Sequence, residues 1–95
     1  MQKLSDSEIN AKLEEYSNWN YNGKDIWKEY KFNNYLDSIE FVQKIGLKAE
    51  TIDHHPRMIV DYKKVIIEIH THTVNGITKL DFKLAGMIEA VLHKI

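Results

Sequence analysis

Five histidines are the residues of this chain best suited to chemistry: His54, His55, His70, His72 and His93. All lie in the second half, four of them between positions 54 and 72. Imidazole titrates near neutral pH, so one ring can give a proton while another takes one. Acid/base catalysis is therefore the first reading. Asp53-His54-His55-Pro56 follows a helical pattern, where a turn can present both rings to a cavity. His72 falls near the end of a strand pattern, and Asp53 or Asp81 can orient a ring. A metal site is the second reading. His70 and His72 are two apart on a strand and share a face, and His54 or His55 would complete a three-nitrogen set. No helical His-Glu-x-x-His pattern accompanies them. The third reading is structural: surface histidines on a strand and a solvated turn. Residue chemistry alone leaves all three open. His93 sits in a last helical turn, where the negative end of the dipole accounts for it.

The elements that would position these rings follow from periodicity. Ser5-Asp6-Ser7-Glu8 reads as a capping box, and Ile9, Leu13 and Tyr16 carry a first helix to about Tyr16. Trp19 to Tyr21 predicts a short strand, Asn22-Gly23 a hairpin turn and Ile26 to Phe32 the returning strand. Asn34 caps a second helix, with Asp37 in its first turn. Leu36, Ile39, Val42, Ile45 and Ala49 form its apolar face. Gly46, inside that helix, suggests close packing. Pro56 marks the end of helical structure. Met58, Val60 and Tyr62 alternate in a third strand, Lys63-Lys64 turns, and Val65 to Thr73 is a fourth strand. Thr78 caps a last helix, with Asp81 in the capping-box position. The fold class is α+β, in the order α-β-β-α-β-β-α, with a four-stranded antiparallel sheet and the helices on one face.

Composition narrows the function further. The 95 residues make a single domain, 1–95. Thirteen basic and 14 acidic residues leave a net charge of -1, so no field favours nucleic acid or a membrane surface. The absence of cysteine excludes thiolate nucleophiles, disulfides and Cys-based zinc sites, and suits the cytoplasm. The polar stretch from Met1 to Asn10 lacks the apolar core of a secretory leader. Trp19, Trp27, Tyr30 and Phe32 read as core or interface aromatics, with Trp19 the candidate to stack on a flat ligand. A chain this short gains buried surface by oligomerising.

Glu50-Thr51-Ile52-Asp53-His54-His55-Pro56, followed by Tyr62, Thr71-His72, Gly76-Ile77-Thr78 and Asp81, resembles the signature of the pterin-4a-carbinolamine dehydratase family. Trp19, the aromatic strand ending at Phe32, the helix from Tyr35 to Glu50 and the last helix also resemble family counterparts. The resemblance covers nearly the whole chain. It implies the α+β fold above. It also implies a hydro-lyase that dehydrates 4a-hydroxytetrahydrobiopterin to quinonoid dihydrobiopterin, in tetrahydrobiopterin recycling. No metal and no organic cofactor are implied. By motif position, the catalytic set is His54, His55 and His72, and the substrate-binding residues are Asp53, Trp19 and Asp81. His70 matches no active-site position and is left structural or exposed. The implied partners are the pterin and further copies of the chain, as a homodimer or homotetramer, without nucleic acid or membrane. The alternatives are another pterin, such as one connected with molybdopterin, or a dimerisation cofactor acting as a binding module.

Overall fold

A computed structural model of the chain describes residues 1–93. Helix α1 (Asp6–Leu13) is followed by strands β1 (Asn20–Tyr21) and β2 (Ile26–Lys31), then helix α2 (Tyr35–Thr51). Strands β3 (Arg57–Asp61) and β4 (Lys64–Ile69), a single 3-10 turn (His72–Val74) and helix α3 (Lys79–Leu92) complete it. The predicted α-β-β-α-β-β-α order holds. The strands form one antiparallel sheet in the order β1-β2-β4-β3.

Three side chains start the helices as the sequence predicts. Ser5 closes a capping box with Glu8, Asn34 accepts from the Asp37 N–H, and Thr78 closes a box with Asp81. Each satisfies amide donors that a helix start leaves without partners. Helix α1 stops at Leu13, short of Tyr16. Glu14, Glu15 and Tyr16 bond to the third residue back, a tightening that ends the α-helix. Asn18, at φ 66°, then turns the chain so that Trp19 enters the core.

Alternation along the two central strands builds the core. Ile26 and Tyr30 of β2 and Val65, Ile67 and Ile69 of β4 face Phe41, Ile45 and Ala49 of α2, with Leu84, Ala85 and Ile88 of α3. Phe41 packs between Tyr30 and Phe32, with ring centroids 4.8 and 5.1 Å away. Gly46 does not serve the close packing its position suggested: a Cβ there would meet nothing within 4 Å. Strand β3 ends at Asp61, and the turn is Tyr62-Lys63, with Tyr62 at φ 55°. Strand β4 ends at Ile69 rather than Thr73, because Thr71 leaves the ladder to bridge Gly76.

Lys28 is the one lysine on the inward face of β2. Its ammonium donates to both carboxylate oxygens of Glu89, each at 3.0 Å, and to the Ser17 carbonyl at 3.1 Å. The Tyr30 hydroxyl also donates to Glu89. Burial, with the Glu89 hydrogen bond and charge, pushes the Tyr30 phenol far above its usual value, so it remains a donor. Removing the carboxylate strands a buried cation, whereas Glu89, which is 29% exposed, can take water in place of Lys28. Glu89→Ala is therefore expected to lose about 1–3 kcal/mol in urea unfolding, and Lys28→Met less. Equal losses would contradict this account.

Candidate active site

The site lies at one end of the sheet, where α2 ends, β2 begins, β4 ends and α3 starts. Helix α2 stops in a left-handed cap. Asp53 adopts φ 48°, its N–H reaches the Glu50 carbonyl, and the His54 N–H reaches the Ala49 carbonyl. These two bonds are the Schellman pattern, and Asp tolerates the left-handed position better than most residues. The sharp turn sends His54 inward and leaves His55 at the surface.

Beneath His54 lies Asp81, with no exposed surface. His54 Nε2 donates to Asp81 Oδ1 at 2.5 Å. Asp81 Oδ2 accepts from the Thr78 N–H and the Thr71 hydroxyl, both at 2.8 Å. The Thr71 proton is thereby committed, so the Thr78 hydroxyl is the donor in the 2.9 Å contact between the two threonines. A buried carboxylate is tolerable only when its oxygens are satisfied, and here both are. The capping-box residue predicted from sequence is thus also the partner of His54. It is sealed from the cavity, so it positions His54 rather than lining the substrate space.

Two of the other rings, His55 and His70, also reach carboxylates. His55 Nε2 donates to Glu50 Oε2 at 2.7 Å, in an exposed pair. His70 Nδ1 donates to Asp25 Oδ1 at 2.7 Å, and His70 Nε2 lies 3.1 Å from His72 Nδ1. His72 sits in the 3-10 turn, not on a strand. The Thr71–Gly76 bridge and left-handed Asn75, at φ 50°, close that turn. Its β-branched neighbours Thr71, Thr73 and Val74 read as strand residues because that preference is real but weak against such a closure.

A cavity of about 390 Å³ joins these groups, lined by Asp53, His54, His55, His70, Thr71 and His72 together with Met1, Thr73 and Leu80. Small-molecule pockets run from about 300 to 1,000 Å³. Of the residues expected at the site, His54, His55, His72 and Asp53 converge here. Trp19 does not: it is 5% exposed and belongs to the core. Among the described residues no three His, Asp or Glu side chains are grouped to hold one metal ion.

Residues 2–91 match the family model described as pterin 4 alpha carbinolamine dehydratase. The chain belongs to this family. A protein of Sulfolobus acidocaldarius, provisionally named a pterin-4-alpha-carbinolamine dehydratase, is 40% identical over 94% of this chain and 98% of its own length. A provisionally so-named protein of Picosynechococcus is 38% identical over 92% of this chain and 95% of its own. The crystal structure of a transcriptional coactivator/pterin dehydratase from Brucella melitensis superposes with a TM-score of 0.90 at 32% identity, covering 95% and 98% of the two chains. A pterin dehydratase-like RuBisCO assembly factor of the alpha-carboxysome shares the fold, with a TM-score of 0.69 at 19% identity, covering 80% and 90%.

Sequence reasoning in this dehydratase-family chain missed Asp25, Glu50, His70 and Thr71 as partners of the site. The signal for Asp25 and His70 was the strand register. Ile26 pairs with Ile69, so the residues just outside that pair face each other. Asp81→Ala removes an acceptor from three buried donors. It is expected to cost about 2–4 kcal/mol in thermal or urea unfolding and to speed amide exchange in the first turn of α3. Unchanged stability would show that Asp81 does not carry this junction.

Proposed function

We propose that this chain dehydrates 4a-hydroxytetrahydrobiopterin to quinonoid dihydrobiopterin by histidine acid/base catalysis, in tetrahydrobiopterin recycling. The observation that carries the reading is the convergence of His54, His55 and His72 on one cavity. The family supports it as well. In the reaction the bond from carbon 4a to its hydroxyl oxygen breaks, and the oxygen leaves as water after taking a proton. A ring nitrogen loses a proton, and its electrons restore unsaturation at carbon 4a. One acid and one base are needed near neutral pH, and two imidazoles can fill both roles. His54 and His72 handle the protons in this reading, each with a ring nitrogen held by a neighbour. His55, 55% exposed beside the cavity, hydrogen-bonds the pterin and the leaving hydroxyl. Asp53 lines the same space.

His54→Ala and His72→Ala, each folded, are expected to lower kcat for carbinolamine dehydration by about a hundredfold or more. His55→Ala should raise KM more than it lowers kcat. Near-normal turnover in both of the first two variants would sink the assignment.

The proposal includes a homo-oligomer in the cytoplasm. No helix among the described residues is long and apolar enough to cross a membrane. Leu36 and Leu47 of α2 are 73% and 63% exposed, and a groove of about 350 Å³ between α2 and α3 adds Met87, Ala90 and Val91. Large apolar side chains left exposed in this way support association. Leu47→Glu is expected to shift the mass measured by light scattering towards the monomer without lowering Tm by more than about 2 °C, since the side chain is exposed in the monomer. A purely monomeric parent protein would overturn the oligomer.

A further inference from the structure

We propose that Asp25 and His70 form a relay that fixes the tautomer of His72, leaving its Nε2 as the proton acceptor of the site. The inference rests on the dehydratase reading and goes beyond it, because it gives two residues outside the histidine set a task and assigns a direction to proton flow.

The chain itself builds the relay. Asn22 Oδ1 accepts from the backbone N–H groups of Lys24 and Asp25 at 2.9 and 2.7 Å, which pins the loop before β2. Such local side-chain bonds favour turns over extended structure. The β2–β4 register then sets Asp25 opposite His70 at the sheet end. Both side chains are mostly covered, with 12% and 15% exposed. The His70 and His72 rings meet edge to face, with centroids 4.2 Å apart.

The proton order follows from what each atom can do. A carboxylate only accepts, so the hydrogen between Asp25 and His70 is on His70 Nδ1. A neutral His70 then has a lone pair on Nε2. The 3.1 Å contact requires His72 Nδ1 to be the donor there. His72 Nε2 is left without a hydrogen, beside the cavity that His54 also lines. During turnover the substrate's N–H bond breaks and its proton goes to His72 Nε2. The charge formed on His72 is met through His70 by Asp25. For this step His54 starts as the imidazolium: its Nε2–H is held by Asp81, and its Nδ1–H is the proton that converts the departing hydroxyl to water, leaving His54 neutral. Proton exchange with solvent returns both rings to their starting forms. Asp25 and His70 are positioning residues, because neither needs to touch the pterin.

The test has two independent parts. Nitrogen-15 NMR of histidine-labelled protein reads the His72 tautomer without any substitution and without any assay. The expected result is a neutral His72 protonated at Nδ1, lost in both Asp25→Ala and His70→Ala. Kinetics on 4a-hydroxytetrahydrobiopterin should then show kcat about ten- to a hundredfold lower in both variants, with KM within about twofold. A wild-type His72 protonated at Nε2 overturns the relay. So do variants with kcat within about twofold of wild type when His72→Ala is impaired. A wild-type chain with the expected tautomer but no dehydration would instead defeat the dehydratase reading and leave the hydrogen-bond order standing.

Discussion

One buried carboxylate couples the fold to the site. Asp81 accepts from the Thr78 N–H at the start of α3, from the Thr71 hydroxyl after β4 and from His54 after α2. An ionised group with no exposed surface is costly unless every lone pair it offers is used well. Three segments distant in sequence are therefore held to one atom pair. Displacing any of them leaves the carboxylate short of a donor. His54 is thus placed by the same interaction that starts the last helix, which is how a small chain can hold an imidazole to a narrow range of positions. Rigid supports of this kind suit a group that must meet a reacting atom.

The three carboxylate–histidine pairs differ chiefly in their surroundings. Asp81 is sealed, Asp25 is mostly covered, and the Glu50 side chain is 73% exposed. Charge–charge and hydrogen-bond energies grow as water is excluded. The His54–Asp81 contact is therefore the stiffest, and the His55–Glu50 contact is the one most readily exchanged for a water or a ligand. That order agrees with the roles drawn above: fixed rings for proton transfer and an adaptable ring for binding.

Much of this was legible locally. Ser5, Asn34 and Thr78 announce helix starts because a cap depends on a few neighbouring residues. The alternation in β2 and β4 is equally local. What was hidden is non-local. Thr71-His72-Thr73-Val74 has strand composition, yet Thr71 is captured by Gly76 and Asp81, and His72 turns out of the sheet. Trp19 has the chemistry of a stacking wall, but left-handed Asn18 turns it inward. His70 lacked a role until β2 lay against β4 and brought Asp25 to it. Asp81 was legible twice, as a cap and as a neighbour of the histidines. The packed structure adds that it fills both roles at once, with one oxygen on His54 and the other on the Thr78 N–H.

The helix ends add a further physical reason for this placement. His54 and His55 follow the C-terminus of α2, where the backbone dipole favours positive charge. Asp81 lies in the first turn of α3, where it favours negative charge. The His54–Asp81 contact joins these two ends, so the imidazole N–H donor and the carboxylate that accepts from it each sit where a helix dipole favours them. Reversing the pair would oppose both dipoles and remove the N–H that Thr78 gives Asp81. The order of the chain, with the histidines after a helix and the acid at the start of the next, is therefore itself part of the site's electrostatics. It also explains why the acid is an aspartate. The short side chain reaches the Thr78 N–H three residues back and still meets His54 with its other oxygen, whereas a glutamate's extra methylene would have to be fitted into a fully buried space.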